Sequence, residues 1–203
     1  MLWKLNILSL QTEKEYQYGA FEQRHIDILS SVKKHVSIPV IIKLGTNLTN
    51  PIALINQLYA NGAAAVVLFN RFYQPDINIE TKSYSSGEVF SHPSDLANGL
   101  RWNSYCFSTS IHKLIMPFQG GVHDGKAMVK AILAGASAVE VCSVIYQKGE
   151  NFIESMTEEL SEWMKKQGYN TISEFKSEMN ALSTGESNPF ERTQFMKYFS
   201  SKE

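Results

Sequence analysis

Met116-Pro117-Phe118-Gln119-Gly120-Gly121-Val122-His123-Asp124-Gly125, an apolar-periodic run to Ala134, and then Ala138-Val139-Glu140-Val141-Cys142-Ser143 read in order as strand, double glycine, helix, strand and short helix. Gly121 and Ser143 lie 22 residues apart, the length of one βα repeat. A glycine pair at the end of the first strand lets backbone N–H groups come close to an anion, because no Cβ stands in the way. The second strand runs directly into a helix start, where unpaired N–H groups and the helix dipole favour phosphate. The glycines alone fit a tight turn that binds nothing equally well. The second strand–helix junction one repeat later favours the phosphate reading.

Two such junctions side by side look like the phosphate-binding end of a (β/α)8 barrel, which lies after strands 7 and 8. The chain has 203 residues, enough to bury a sizeable core but short of the roughly 250 of a complete barrel. With 43% hydrophobic and 19% charged residues and a formal net charge of −1, its composition is ordinary and gives no electrostatic case for nucleic acid or an anionic membrane. A small-molecule partner is expected. Cys106 and Cys142 are the only cysteines and have no CxxC spacing, which argues against a disulfide framework or an iron–sulfur cluster and fits a reducing, cytoplasmic setting. Met1 to Leu10 is apolar enough to resemble an export signal, but Lys4 and Asn6 interrupt it and no small-residue cleavage site follows, so a buried strand is expected. No run of eighteen apolar residues occurs, so no membrane span is expected.

Short apolar runs alternate with helical periodicity, the pattern of parallel sheets built from βα units. Five strands are expected, parallel and adjacent in chain order: Lys4 to Leu8, Pro39 to Leu44, Ala64 to Asn70, Leu114 to Gln119 and Ala138 to Cys142. Val40-Ile41-Ile42 and Ala64-Ala65-Val66-Val67-Leu68-Phe69 suit strands buried on both faces. A helix is predicted around Phe21 to His35, and another from the Asn50-Pro51 cap to Asn61-Gly62. Arg71 to Ser91 is polar and aromatic and reads as a strand-rich excursion at the rim. From Asn151, the spacing of Phe152, Met156, Leu160 and Trp163 predicts a helix stopped by Gly168. The tail from Ser187 to Glu203, with Phe190, Phe195, Met196, Tyr198 and Phe199, is expected to dock on the same domain. No second domain or linker is apparent.

Lys4-Leu5-Asn6, Ile42-Lys43-Leu44, Leu68-Phe69-Asn70-Arg71-Phe72-Tyr73-Gln74-Pro75, Gly120-Gly121 and Cys142-Ser143 occur in that order on successive strands. In that register the chain resembles the flavin-dependent dihydroorotate dehydrogenases, in particular a dihydroorotate-dehydrogenase-like bacterial branch. The resemblance implies an α/β fold of the (β/α)8 TIM-barrel family, with flavin mononucleotide (FMN) as cofactor and oxidation of dihydroorotate to orotate in pyrimidine biosynthesis as the reaction. It sets Met1 to Leu8 at the family's fourth strand. The chain then corresponds to the C-terminal part, about five of eight βα units, as a single partial domain.

The resemblance further implies a role for each matching residue. Lys43 is aimed at the flavin ring, which agrees with the cost of placing an ammonium in an apolar strand unless it meets an acceptor; a strand-end lysine snorkelling to water is the alternative. Asn70 and Asn6, at strand ends facing the site, would bind substrate through their amides, or else only form turns. Gly120, Gly121, Cys142 and Ser143 would hold the flavin phosphate. This leaves Cys142 a neutral, buried thiol, and Cys106 is expected in a helix core. The catalytic base falls on Ser9, three residues after Asn6, but the family's following Pro-Asn pair is absent and no activating partner is near in sequence. His112 and His123 could titrate near neutrality, with His123 expected to cap or face solvent, and no histidine pair has metal-ligand spacing.

Two other readings stay open: another phosphate-anchored barrel enzyme, since this fold hosts many chemistries, or a non-catalytic fragment that needs a complementing N-terminal half. A homo-oligomer is also open.

Overall fold

The structure, a computed structural model, describes residues 1–108 and 114–181. His112 and the aromatic tail from Ser187 lie outside the described residues. Five strands form one parallel sheet in chain order: β1 (Trp3–Asn6), β2 (Val40–Gly45), β3 (Ala65–Asn70), β6 (Pro117–Gln119) and β7 (Ala138–Glu140). Between β3 and β6 the chain makes an antiparallel hairpin of β4 (Pro75–Asn78) and β5 (Ser83–Ser86), so the polar excursion is strand-rich as expected. A 3-10 turn (Pro93–Asp95) and helix α3 (Leu96–Ser108) return it to the sheet.

The other helices are α1 (Ala20–Lys33), α2 (Pro51–Ala60), α4 (Gly125–Leu133), α5 (Ser143–Lys148), α6 (Phe152–Gln167) and α7 (Ile172–Phe175). None is long and apolar enough to cross a membrane. Side chains alternate along each strand, and one face packs on the helices. Val40, Ile42, Leu44, Val66 and Leu68 meet Leu29, Leu54, Ile55 and Leu58, while Phe118, Val139 and Val141 meet Leu96, Ala127, Ala131 and Met156. Lys4, Lys43, Gln119 and Glu140 therefore project from the opposite face. Within α6, Met156 and Leu160 are buried and Gly168 closes the helix at φ 84°, as the spacing predicted.

That opposite face is concave. β1 and β7 are the outermost strands, and four strand spacings would set them roughly 19 Å apart in a flat sheet. Yet Lys4 Nζ lies 2.7 Å from Glu140 Oε1. Only a strongly curved sheet brings those side chains together, and this curvature is compatible with an arc of a barrel.

Two expectations need correction. β1 is not buried: three of its four residues are exposed, because among the described residues only β2 pairs with it and nothing covers its second edge. The strand expected from Leu114 shortens to Pro117–Gln119, with Ile115 reaching β3 through a single bridge to Ala65. The central strands β2 and β3 are buried nearly throughout, as their continuous apolar runs predicted.

The start of α2 is fixed locally. Asn50 Oδ1 accepts the Ala53 N–H at 3.1 Å, and Pro51 fills the first helical position, where no N–H is needed. Asn50→Ala should lower the urea midpoint by the equivalent of about 1 kcal/mol, leaving the urea m-value unchanged.

Candidate functional site

The carboxyl ends of the strands open into a cleft of about 620 Å³, lined by Asn70, Arg71, Gln119, Gly120, Gly121, Glu140, Cys142, Ser143 and residues of the 89–101 segment. Strand ends are where ligands bind in parallel α/β proteins. Asn70, Gly120, Gly121, Cys142 and Ser143 thus converge on one space, whereas Lys43, Asn6 and Ser9 do not line it.

Gly120 and Gly121 both have positive φ, 105° and 71°, but meet different surroundings. A Cβ on Gly120 would point into open space, so this glycine serves the backbone conformation rather than packing. A Cβ on Gly121 would overlap the Leu96 backbone, so this glycine is required for packing against the start of α3. The N-terminus of α4 is already occupied: Asp124 Oδ1 accepts the Ala127 N–H at 2.7 Å, and Glu159 Oε2 accepts the Gly125 N–H at 3.0 Å. Anion contacts are therefore left to the glycine turn.

Ser143 Oγ accepts the Ser91 N–H at 2.9 Å, and the Ser91 hydroxyl lies 3.0 Å from His123 Nε2. The segment 88–95 is thereby strapped over the cleft, and Arg71 holds its near end by donating to the Glu88 and Val89 carbonyls at 2.6 and 2.9 Å. Arg71 also pairs with Asp95. His123 is thus tied into the rim rather than free in solvent. Cys142 is exposed, not buried; it stands at the N-cap of α5, just past the edge strand, where no further strand among the described residues covers it. Cys106 is fully buried in α3, and burial pushes its thiol pKa up to about 12, as befits a core residue.

Lys43 is 8% exposed and makes no hydrogen bond among the described residues. Its pKa is lowered, chiefly by desolvation; the Glu140 carboxylate opposes this and the Lys4 ammonium adds to it. Gln119 Oε1 is likewise buried without a partner among the described residues. An unpaired donor and an unpaired acceptor on one concave face suit a ligand carrying both kinds of group, since burying either alone is costly. Asn6 lies beside Lys43 in register on β1, and Asn70 beside Gly45 at the end of β3. The Ser9 carbonyl accepts from Asn47 Nδ2 at 2.8 Å, while its hydroxyl has no partner among the described residues.

Sequence reasoning missed Gln119, Glu140, Ser91 and Arg71. The signal for the first two was available: both are polar residues at alternating positions on otherwise apolar strands. Ser91 and Arg71 act across a long loop and leave no local signature.

The fold defines a parallel α/β protein with a cleft at its strand ends. No protein-family model matches the chain. Among curated proteins it is 29% identical over 151 residues to the catalytic subunit of dihydroorotate dehydrogenase B (NAD(+)) from Thermoplasma volcanium, covering 73% of this chain and 49% of that one. It is 29% identical over 158 residues to dihydroorotate dehydrogenase (quinone) from Sulfurovum sp., covering 75% and 43%. A third relative, the dihydroorotate dehydrogenase B (NAD(+)) catalytic subunit from Methanocaldococcus jannaschii, is 28% identical over 147 residues, covering 70% and 46%. The chain resembles the dihydroorotate dehydrogenases, and it spans about half the length of the curated relatives it matches.

Proposed function

We propose that this chain forms the cofactor-holding part of a cytoplasmic, FMN-dependent oxidoreductase that oxidises dihydroorotate to orotate in pyrimidine biosynthesis. The observation that carries the reading is the unpaired Lys43 ammonium and Gln119 carbonyl on one concave face, whose Gln119 end runs into the cleft beside Gly120 and Gly121. These groups fit a flavin mononucleotide, whose ring offers acceptors and a donor and whose phosphate needs N–H groups without a Cβ nearby. Relatives named for NAD(+), quinone and fumarate all match, and what their names share is the oxidation of dihydroorotate.

Bound flavin would supply the acceptor for a hydride. Lys43 would place its ammonium against the ring, and its unpaired state keeps it available. Gly120 and Gly121 would donate backbone N–H groups to the phosphate. The Ser143 hydroxyl, which already accepts from Ser91, retains its own proton to donate to the same phosphate. α5 is only six residues long, so its dipole adds little beyond these contacts. Cys142, which lines the same cleft, would stand on the phosphate side. Asn70 and Asn6 would bind the substrate through their amides. Ser9 takes the position of the proton-abstracting base, and it needs a group to activate its hydroxyl that the described residues do not supply.

The two uncovered sheet edges and the half-length match favour a second element in the same reading: a complementing N-terminal half, with three further parallel strands between β7 and β1. The test of the cofactor assignment is a flavin fluorescence titration. FMN should bind roughly tenfold or more tightly than riboflavin, the worth of at least one charge-assisted hydrogen bond to phosphate. Lys43→Ala should weaken both ligands alike. Equal affinities for FMN and riboflavin would remove the phosphate site, and an unaffected Lys43→Ala would remove the ring contact.

A further inference from the structure

Three charged side chains share the concave face. Lys4 stands on β1, Lys43 on β2 and Glu140 on β7, all at positions of the same alternation. The Glu140 charge acts on Lys43, yet its hydrogen-bond partner is Lys4, at 2.7 Å, reaching it from the opposite edge of the sheet, 136 residues away. Lys43, the more deeply buried cation, is left without a hydrogen-bond partner among the described residues. A buried ammonium next to a carboxylate ordinarily pairs with it. Here the carboxylate is already engaged.

We propose that Lys4 is a positioning residue: by holding the Glu140 carboxylate it prevents that group from pairing with Lys43, and so keeps the Lys43 ammonium free for a ligand that reaches from the cleft onto the concave face. Glu140 lines the cleft, so its neutralisation by Lys4 also removes a negative charge from the path of an anionic ligand. Without Lys4 the face would hold one cation and one anion, and these would satisfy each other. With Lys4 present it holds a net positive charge, carried by Lys43. The other titratable group facing Lys43 is the Cys142 thiol on the β7 side, which acts in the same direction as Glu140; Val67, its neighbour in register on β3, carries no charge. The ligand part of this proposal rests on the flavin reading; the charge arrangement itself does not.

The test has two readouts. In the ligand-free chain, lysines are labelled by reductive methylation with 13C, which retains their charge, and Lys43 is followed by NMR against pH. Lys43 should titrate below the ordinary lysine range in the unsubstituted protein. In Lys4→Met it should move upward, through loss of the Lys4 repulsion and through Glu140 turning to it, and in Lys4→Met/Glu140→Gln, where only the first of these remains, it should fall back. Lys4→Arg should leave it where it was. In the second readout, FMN affinity should fall roughly tenfold in Lys4→Met and recover in the double variant, because the lost contact is one charge-assisted hydrogen bond.

A Lys43 titration that is the same with and without Lys4 overturns the proposal, whatever the flavin result. If the titrations shift as stated while neither the chain nor its complex with a complementing half binds FMN in any variant, the positioning role stands and the flavin reading falls. A loss of FMN affinity in Lys4→Met that Glu140→Gln fails to restore shows Lys4 contacting the ligand itself, and also overturns the proposal.

Discussion

Gly121→Val should cost about 3 kcal/mol or more of stability, through a left-handed backbone forced on a β-branched residue and overpacking against a helix start. Gly121 has φ 71°, and a Cβ there would overlap the Leu96 nitrogen while lying 2.8 Å from the Leu96 Cα and 2.9 Å from the Asp95 carbonyl carbon. These are backbone atoms at the junction of the 3-10 turn and α3, so no rotamer change relieves the contact. Gly120→Ala is the matched control. Its φ of 105° is also unfavourable for a side chain, but nothing lies within 4 Å of the added carbon. Urea denaturation of both variants should give a much larger loss for Gly121→Val, and the exposed Lys126→Ala should change little. Equal losses in the two glycine variants would mean that strain alone, without the clash, sets the cost. The pair also separates two jobs within one turn: Gly121 packs the strap segment closely at the start of α3, and Gly120 serves the backbone conformation alone.

Purified alone, the chain should be colourless, without stoichiometric flavin and without dihydroorotate oxidation at a useful rate. With β1 and β7 each paired along one edge only among the described residues, one flank of a planar ligand would be left in water. Displacement of reacting groups by even about an ångström costs orders of magnitude in rate. Supplying a polypeptide of three parallel βα units, such as the N-terminal half of a curated relative, should yield a yellow complex on co-purification. The absorbance near the flavin band should then bleach on adding dihydroorotate, and Lys43→Ala in the complex should impair that bleaching. If the 203-residue chain comes out yellow by itself and is bleached by dihydroorotate, the need for a complementing half is refuted and the assignment of activity is strengthened.

What the sequence disclosed follows from the range of the interactions involved. β2 and β3 were legible because both faces of each are covered, and double burial writes itself as an unbroken apolar run. α2 was legible because its cap and its stop are set by neighbours three or four residues away. Asn70, Gly120, Gly121 and Ser143 were found as strand-end punctuation, and the fold brings them to one cleft. The exposure of β1 and of Cys142 could not be read, because an edge strand and a central strand share the same local pattern. The Ser91–Ser143 contact joins residues 52 apart and the Lys4–Glu140 contact residues 136 apart. Both depend on how far the sheet curves, which no local window encodes.

That curvature has a bearing on how the chain folds. Each strand of the main sheet pairs with the next one in sequence, apart from the hairpin excursion, so the sheet can grow one βα unit at a time with modest loop-closure cost at every step. The Lys4–Glu140 contact obeys a different rule, because it joins the first strand to the last. It forms only after every intervening unit has taken up its share of the bend, and any local opening along the arc breaks it. A fluorescent pair placed at the outer ends of β1 and β7 would therefore report on the whole sheet at once, registering loosening of any single unit as a widening of the same gap.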